Sequence, residues 1–326
     1  MRRGSGEPFN IRRPPLDTRH EKLYWYRVFP DCFKERIVMT KNKMALGLNG
    51  FGWAHVVYDQ PYDFEKILTH AAKLGFAGVE LFGMPETYPA EKSAQIALRK
   101  QVEDHGLVVA SIQSLPGGLG NGHPASAYSL CRKGYVDYIQ QMLDLAVTLG
   151  CEAMGVWAGE LFGTGPNEQS INYMAEVYTQ CAERAQDARI PLVLEAEPVQ
   201  QVNTPAVWFR ILKAVNSQYF RALCDFAHIN VFSKQRPLEL LAELQPYIGY
   251  THLAGNDGTC TKIESRSSTH LALDEGPMDW RAMLNQILDG GYEGWLDIDV
   301  WEHRDPFGAT QAGKQALDEF LAKRQR

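Results

Sequence analysis

The segment LVLEAEP, residues 192–198, is a short apolar run that ends in two carboxylates. A continuous apolar run of this length is typical of a strand buried on both faces, as in parallel sheets that are covered by helices. Similar runs recur along the chain from Met44 onward. We predict eight strands, at Ala45–Leu48, Gly78–Phe82, Val108–Ile112, Ala153–Trp157, Leu192–Ala196, Arg221–Phe226, Tyr247–Leu253 and Trp295–Val300.

Segments with helical periodicity separate these runs, for example at Asp63–Leu74, Tyr135–Leu149 and Asn172–Ala188. Alternating strands and helices predict a parallel sheet, and eight such units predict a closed (β/α)8 TIM barrel of the α/β class, in one domain. The alternative is an open doubly wound sheet. That fold usually carries a glycine-rich phosphate turn after its first strand, and GFGWAH at residues 50–55 lacks the required spacing.

The first 43 residues differ from the rest in charge. They carry a net charge of +6, whereas the remaining chain carries −12. The segment lacks the apolar stretch of a secretory signal. We expect residues 1–43 to be a flexible or dispensable N-terminal arm before a barrel domain at residues 44–326. Two alternatives are a true start at Met39 or Met44, and an arm that docks through its aromatic residues at 24–26.

The overall composition narrows the class of protein. An acidic body disfavours nucleic acid as a partner, because phosphate contacts need a basic surface. The sequence contains no apolar run of the roughly 18–20 residues that span a bilayer, so no membrane partner is expected. Six cysteines without a C-x-x-C pair indicate reduced thiols and favour the cytoplasm.

Polar side chains stand at the ends of the last four predicted strands. In a barrel, the carboxyl ends of all strands surround one cavity, so these residues are the functional candidates. Oxygen ligands with one imidazole favour a divalent ion such as Mn²⁺, Co²⁺ or Mg²⁺ over a thiolate zinc site. Several carboxylates around one axis also repel each other unless a cation lies between them. The candidates are Glu195 and Glu197, Asp225 and His228, His252, and Asp297 and Asp299.

Six stretches resemble the xylose-isomerase-like sugar isomerase/epimerase superfamily of TIM barrels. The resemblance covers the chain from Ala45 to its last helix. The stretches are GFAGVELFG (75–83), IPLVLEAEP (190–198), LCDFAHIN (223–230), YTHLAGND (250–257), DEGPMDW (274–280) and GYEGWLDID (291–299).

The resemblance implies roles for individual residues. Glu195, Asp225, His252 and Asp299 match the metal ligands, and Glu195 and Asp299 match the two carboxylates that move the proton. His228 matches the substrate-binding histidine. Asp299 departs from the pattern, because a longer Glu is usual there. We therefore expect Glu195 to be the principal base and Asp299 to act mainly as a ligand, with a second proton carried by His228 or Glu197.

Further substrate contacts are expected at Glu197, at Arg266 in the loop after the seventh strand, and at Trp53 and His55 near the end of the first strand. Glu80 on the second strand has two open interpretations, a substrate contact or a structural partner.

The implied activity is that of a metal-dependent isomerase or epimerase of a sugar, an inosose or another keto sugar. It would abstract a proton next to a carbonyl through an enediolate stabilised by one divalent ion, for which Mn²⁺ is the first choice. The alternative is a lyase or dehydratase on a 3-keto sugar or inosose, including the subunit of a C-glycoside deglycosidase. A sugar-binding barrel without catalysis is a further alternative. The partner is a small sugar or polyol-derived ketone, and a homo-oligomer is possible.

Overall fold

The computed structural model describes residues 43–82, 87–118, 120–160, 165–233, 236–261 and 266–324. Within these residues, eight parallel strands form a closed barrel in chain order, and the last strand pairs with the first. This closure confirms the predicted (β/α)8 TIM barrel and excludes the open sheet. The strands are β1 (Met44–Gly47), β2 (Gly78–Leu81), β3 (Val108–Gln113), β4 (Ala153–Trp157), β5 (Leu192–Glu195), β6 (Phe220–Asp225), β7 (Ile248–Leu253) and β8 (Leu296–Ile298).

At least one helix follows each strand. The helices are α1 (Asn49–Tyr58), α2 (Phe64–Lys73), α3 (Lys92–Asp104), α4 (Ser129–Leu149), α5 (Glu168–Ala188), α6 (Pro205–Val215), α7 (Phe226–Phe232), α8 (Pro237–Leu244), α9 (Trp280–Asp289) and α10 (Pro306–Arg324). None of the described helices is both long and apolar enough to cross a bilayer.

Local sequence explains where several helices begin and end. The Asn167 side chain accepts a hydrogen bond from the Ser170 backbone N–H at the start of α5, and Ser170 returns one to the Asn167 backbone N–H. The Thr204 side chain accepts a hydrogen bond from the Val207 backbone N–H and caps α6, directly before Pro205. Helix α4 ends at Gly150, whose φ of 77° is the left-handed conformation that glycine adopts without strain.

The barrel interior is apolar at one end and polar at the other. Six strands and the residue before β8 contribute to one buried apolar cluster, and side chains from all sides of a barrel can meet only inside it. Its members are Ala45, Ala110, Ala153, Val193, Leu223, Tyr250 and Trp295. Because strand side chains alternate between faces, the interior residues that follow Tyr250 and Trp295 are His252 and Asp297, and both are buried. The polar layer therefore lies toward the carboxyl ends of the strands.

Residues 1–42 lie outside the described residues, so the predicted arm at residues 1–43 stays a prediction except at its last position. Lys43 makes a hydrogen bond and an ion pair with residues of the barrel. Its carbonyl accepts a hydrogen bond from the Leu296 N–H at 2.9 Å, and its ammonium lies 2.8 Å from Glu152 Oε1. A deletion should therefore stop at residue 42.

We expect deletion of residues 1–42 to change the melting temperature by less than about 2 °C, which corresponds to less than about 1 kcal/mol for a domain of this size. The reason is that the described residues already close the barrel and bury its core. Calorimetry of the two chains, with metal content measured alongside, checks this. A drop of several degrees, or loss of the metal, would show that the segment stabilises the barrel.

Candidate metal centre

The four predicted ligands meet at the carboxyl end of the barrel. Glu195 ends β5, Asp225 ends β6, His252 lies on β7 and Asp299 directly follows β8. His252 Nδ1 lies 3.3 Å from Glu195 Oε1, 3.5 Å from Asp299 Oδ2 and 3.8 Å from Asp225 Oδ2. All four side chains are buried. We call these four residues the cage.

Three members of the cage, Glu195, Asp225 and His252, offer ligand atoms that all lie within 4.8 Å of one another, as binding to a single ion requires. His252 Nδ1 is buried and makes no hydrogen bond to any described residue, while Nε2 lies 2.9 Å from Glu80 Oε1. Because a carboxylate only accepts hydrogen bonds, Nε2 carries a proton, and Nδ1 is the nitrogen that would bind an ion between the three carboxylates. Ligand atoms bound at about 2.0–2.4 Å to one ion lie roughly 3 Å or slightly more from each other. The observed separations are close to that.

The electrostatics of the cage also favour a cation. Burial lowers the pKa of His252, but the charges of Glu80 and Glu195 more than offset this and raise that pKa well above its usual value. Burial raises the pKa of Asp299, because its charge is costly away from water. An imidazole that is driven toward its charged form and a carboxyl that resists ionisation both indicate a deficit of positive charge at this point.

Both oxygens of Asp299 are already hydrogen-bonded. Asn49, at the start of α1, donates through Nδ2 to Oδ2 at 2.8 Å, and the Trp301 backbone N–H donates to Oδ1 at 2.8 Å. Asn49 is itself oriented, because its Oδ1 accepts a hydrogen bond from the Gly50 N–H at 2.7 Å. These contacts hold the short carboxylate toward the cage.

Glu195 is oriented from the neighbouring strand. The Trp157 indole N–H at the end of β4 donates to Glu195 Oε2. The other oxygen, Oε1, lies 3.6 Å from His228 Nε2 as well as near His252. Asp225 accepts a hydrogen bond from the His228 backbone N–H at 2.8 Å and so caps α7. The D-x-x-H spacing thus places His228 beside the cage.

A small cavity opens next to the cage. Polar groups and two indole rings share its wall. The lining residues are Asn49, Trp157, Glu195, His228, Ser267, His270, Asp299 and Trp301.

Four aromatic rings contact one another in a row, and two of them, Trp157 and Trp301, line this cavity. Phe82 contacts both Trp157 and Trp301, with ring centroids 5.4 and 5.8 Å apart, and Trp301 packs against Trp53 at 4.6 Å. Large rings in mutual contact form a firm apolar wall.

Two of the predicted substrate contacts, Trp53 and Glu197, each touch a residue that lines the cavity. Trp53 supports the lining residue Trp301 from behind. Glu197 accepts a hydrogen bond at 2.6 Å from Ser267, another lining residue, and burial together with the charge of Glu195 raises the pKa of Glu197 to about 8.

Two other predicted contacts lie away from the cavity wall. His55 is exposed on α1 and its Nδ1 contacts the Gln60 carbonyl at 2.7 Å. The assignment of His55 to the pocket wall is therefore corrected, because β1 leads directly into a helix that turns this residue outward. The Arg266 side chain is exposed, and its backbone has a φ of 51°.

Sequence reasoning missed three residues beside the cage. Asn49 holds Asp299, Gln113 contacts Glu80, and Trp301 forms part of the wall. Asn49 and Gln113 lie at the ends of β1 and β3, so the rule that singled out the late strands could have found them on the early ones. Trp301 lies beyond its strand and carried no such signal.

Comparison with known proteins shows which family has this architecture. The family model described as "Xylose isomerase-like TIM barrel" matches residues 68–322. A Streptomyces coelicolor (strain ATCC BAA-471 / A3(2) / M145) protein provisionally named a hydroxypyruvate isomerase is 24% identical over 266 residues, covering 76% of this chain and 90% of that protein.

Two further proteins that are similar to this chain carry other names. An inosose dehydratase of Clostridium botulinum (strain Alaska E43 / Type E3) is 20% identical over 292 residues, covering 82% of this chain and 93% of that protein. The solved structure of an L-ribulose 3-epimerase superposes with a TM-score of 0.69 at 20% identity, covering 87% of this chain and 96% of that one. At these identities the structural likeness shows the fold, whereas the family match spans most of the chain. The chain therefore belongs to the xylose isomerase-like TIM barrel family.

Proposed function

We propose that this protein is a divalent-metal-dependent isomerase or epimerase of a small keto sugar or inosose. The observation that carries the proposal is the buried Nδ1 of His252 among three carboxylates, beside a cavity lined by polar groups and two indole rings. Oxygen ligands with one imidazole make Mn²⁺ the first candidate, with Co²⁺ and Mg²⁺ as alternatives. Glu195, Asp225, His252 and Asp299 would hold the ion.

The chemistry requires a proton to leave the carbon next to a carbonyl group. A bound divalent ion supplies a Lewis acid that polarises the carbonyl oxygen. Glu195 is the base that takes the proton, and the electron pair of the broken C–H bond moves toward the carbonyl. The Trp157 indole holds Glu195 Oε2, which fixes the orientation of the carboxylate at the cavity edge. Position matters for such a base before its pKa does.

The second half of the reaction returns a proton. In an isomerisation the proton returns to the neighbouring carbon, and in an epimerisation it returns to the same carbon from the opposite face. His228 lines the cavity and lies 3.6 Å from Glu195 Oε1, so it would bind a substrate hydroxyl and carry the proton in an isomerisation, where the proton returns on the side from which Glu195 removed it. The aromatic wall fixes the sugar from the other side.

A dehydratase is the second candidate. It begins with the same proton removal by Glu195 and then loses a neighbouring hydroxyl as water, for which His228 would supply the proton. Hydrogen bonds already occupy both oxygens of Asp299, which favours a reaction with a single carboxylate base. The similarity to an inosose dehydratase points the same way.

Deuterium exchange combined with metal analysis tests both candidates. The purified protein is expected to hold about one divalent ion per chain, measured by plasma mass spectrometry. In D₂O it should then incorporate deuterium next to the carbonyl of one compound in a panel of ketoses, inososes and 3-keto-glucosides. A deuterated isomer identifies an isomerase or epimerase, and loss of water identifies a dehydratase. Metal-loaded protein that binds sugars without exchange would instead indicate a barrel without catalysis.

A further inference from the structure

A second group of polar residues lies beneath the cage, deeper in the barrel. Glu80 on β2 is completely buried, and both of its oxygens accept hydrogen bonds. Oε2 accepts from Ser111 Oγ at 2.7 Å and from Gln113 Nε2 at 3.0 Å, while Oε1 accepts from His252 Nε2 at 2.9 Å. Glu80 is not among the residues that line the cavity. It therefore acts on the site through His252.

The bond to Glu80 determines how His252 faces the cage. It fixes the proton on Nε2 and the plane of the ring, so Nδ1 points its lone pair at the position where an ion would bind. A carboxylate bonded to the far nitrogen also makes an imidazole a stronger ligand. Gln113 and Ser111 in turn hold the Glu80 carboxylate in place.

Gln113 reaches Glu80 only because residue 155 has no side chain. Gln113 on β3 pairs in register with Gly155 on β4. A Cβ at Gly155 would lie 1.7 Å from Gln113 Oε1 and 2.3 Å from its Nε2. Gly155 does not have a positive φ, so its backbone conformation does not require glycine. The absence of a side chain at residue 155 leaves the space that the Gln113 amide occupies, so an added Cβ would have to displace this end of the Gln113 side chain.

We propose that Glu80, Gln113 and Gly155 form a positioning unit that sets the metal affinity of His252, and that Gly155 acts by admitting the Gln113 amide. This inference rests on the proposed metal site. Substitution of Gly155 should weaken metal binding although the residue contributes no polar side-chain atom and touches neither the ion nor the substrate.

The test compares Gly155→Ala, Gln113→Ala and the double variant. Each single variant is expected to bind Mn²⁺ about tenfold more weakly in calorimetric titrations, since residues behind metal ligands typically contribute about 10–100-fold. The double variant should bind no more weakly than Gln113→Ala alone, because the new methyl group then has no amide to displace. The visible absorption spectrum of the Co²⁺-loaded single variants should also shift, which a purely structural role would not cause.

Gly134→Ala is the matched control. Gly134 lies within α4, and the nearest atom to its added Cβ would be 3.7 Å away, an ordinary contact. It should keep the wild-type affinity and spectrum. If Gly155→Ala fails to fold, Gln113→Ala still reports the contribution of the amide to affinity.

The outcomes separate this inference from the proposed function. Normal affinity and an unchanged Co²⁺ spectrum in Gly155→Ala and Gln113→Ala would overturn the positioning unit alone. Losses that multiply in the double variant would overturn the role assigned to Gly155. A wild-type protein that binds no divalent ion would overturn the metal site and the inference together.

Discussion

Glu195→Gln is expected to reduce deuterium exchange at the substrate carbon by at least about 1,000-fold, within the range of roughly 10²–10⁴ that a positioned general base contributes. Glutamine keeps the length of the side chain and one oxygen that can face an ion, but it cannot accept the substrate proton. Trp157 now donates to Glu195 Oε2, whereas Oε1 faces the cage, so the single amide oxygen of glutamine replaces only one of these two acceptors. The fold should be retained, because Trp157 also packs against Phe82.

Because Glu195 is also a proposed ligand, the exchange rate must be measured at saturating Mn²⁺ with occupancy determined in the same sample. The control is Glu152→Gln, which removes one negative charge near Lys43, at the other end of β4 from Trp157. It should leave exchange unchanged. A fully loaded Glu195→Gln protein that still exchanges would show that another group removes the proton.

The sequence predicted the barrel well because its strands are defined by local pattern. Each buried strand is an apolar run, and the predicted boundaries at Ala153–Trp157 match β4 as observed. The strand β8 is shorter than predicted, at Leu296–Ile298, because the chain after it turns to bring the Trp301 N–H onto Asp299. That contact depends on tertiary structure, which periodicity does not report.

The positions of the cage residues could be predicted from the sequence for a related reason. A barrel brings all carboxyl strand ends together, so charged residues at the ends of β5 to β8 had to converge. The contacts that orient the cage residues could not be predicted in this way. In the sequence, Gly155 is an ordinary strand glycine, and only the structure shows the Gln113 amide packed against it. The role of Asn49 depends on its hydrogen bond to Asp299, which is distant in sequence. The prediction for His55 was wrong because helix α1 begins at Asn49, directly after β1, and turns the His55 side chain toward solvent.

Asp299 is the cage residue at which the sequence resemblance leads us to expect a longer Glu, and its contacts define its expected role. Its carboxylate is one methylene, about 1.5 Å, shorter than Glu. It nevertheless reaches the cage, with Oδ2 at 3.5 Å from His252 Nδ1. Hydrogen bonds from Asn49 and Trp301 occupy one lone pair on each oxygen, which leaves Oδ2 able to bind an ion and poorly placed to take a proton from a carbon atom.

Asp299→Asn should therefore lower the affinity for Mn²⁺ by about 100-fold, at the upper end of the losses seen when groups behind a ligand are removed, because here a ligand itself loses its charge. The exchange rate should be low at trace metal and should recover to within a few-fold of wild type when Mn²⁺ is raised above the new dissociation constant. Titrating Mn²⁺ while following both occupancy and exchange separates affinity from turnover. The matched variant Asn49→Ala should shift the same curve in the same direction by a smaller factor, since it leaves the Asp299 carboxylate and its charge in place and removes one of the two hydrogen bonds that orient it. If Asp299→Asn instead binds Mn²⁺ normally and stays inactive at saturation, Asp299 carries a proton, and the reaction uses two carboxylates despite the shorter side chain.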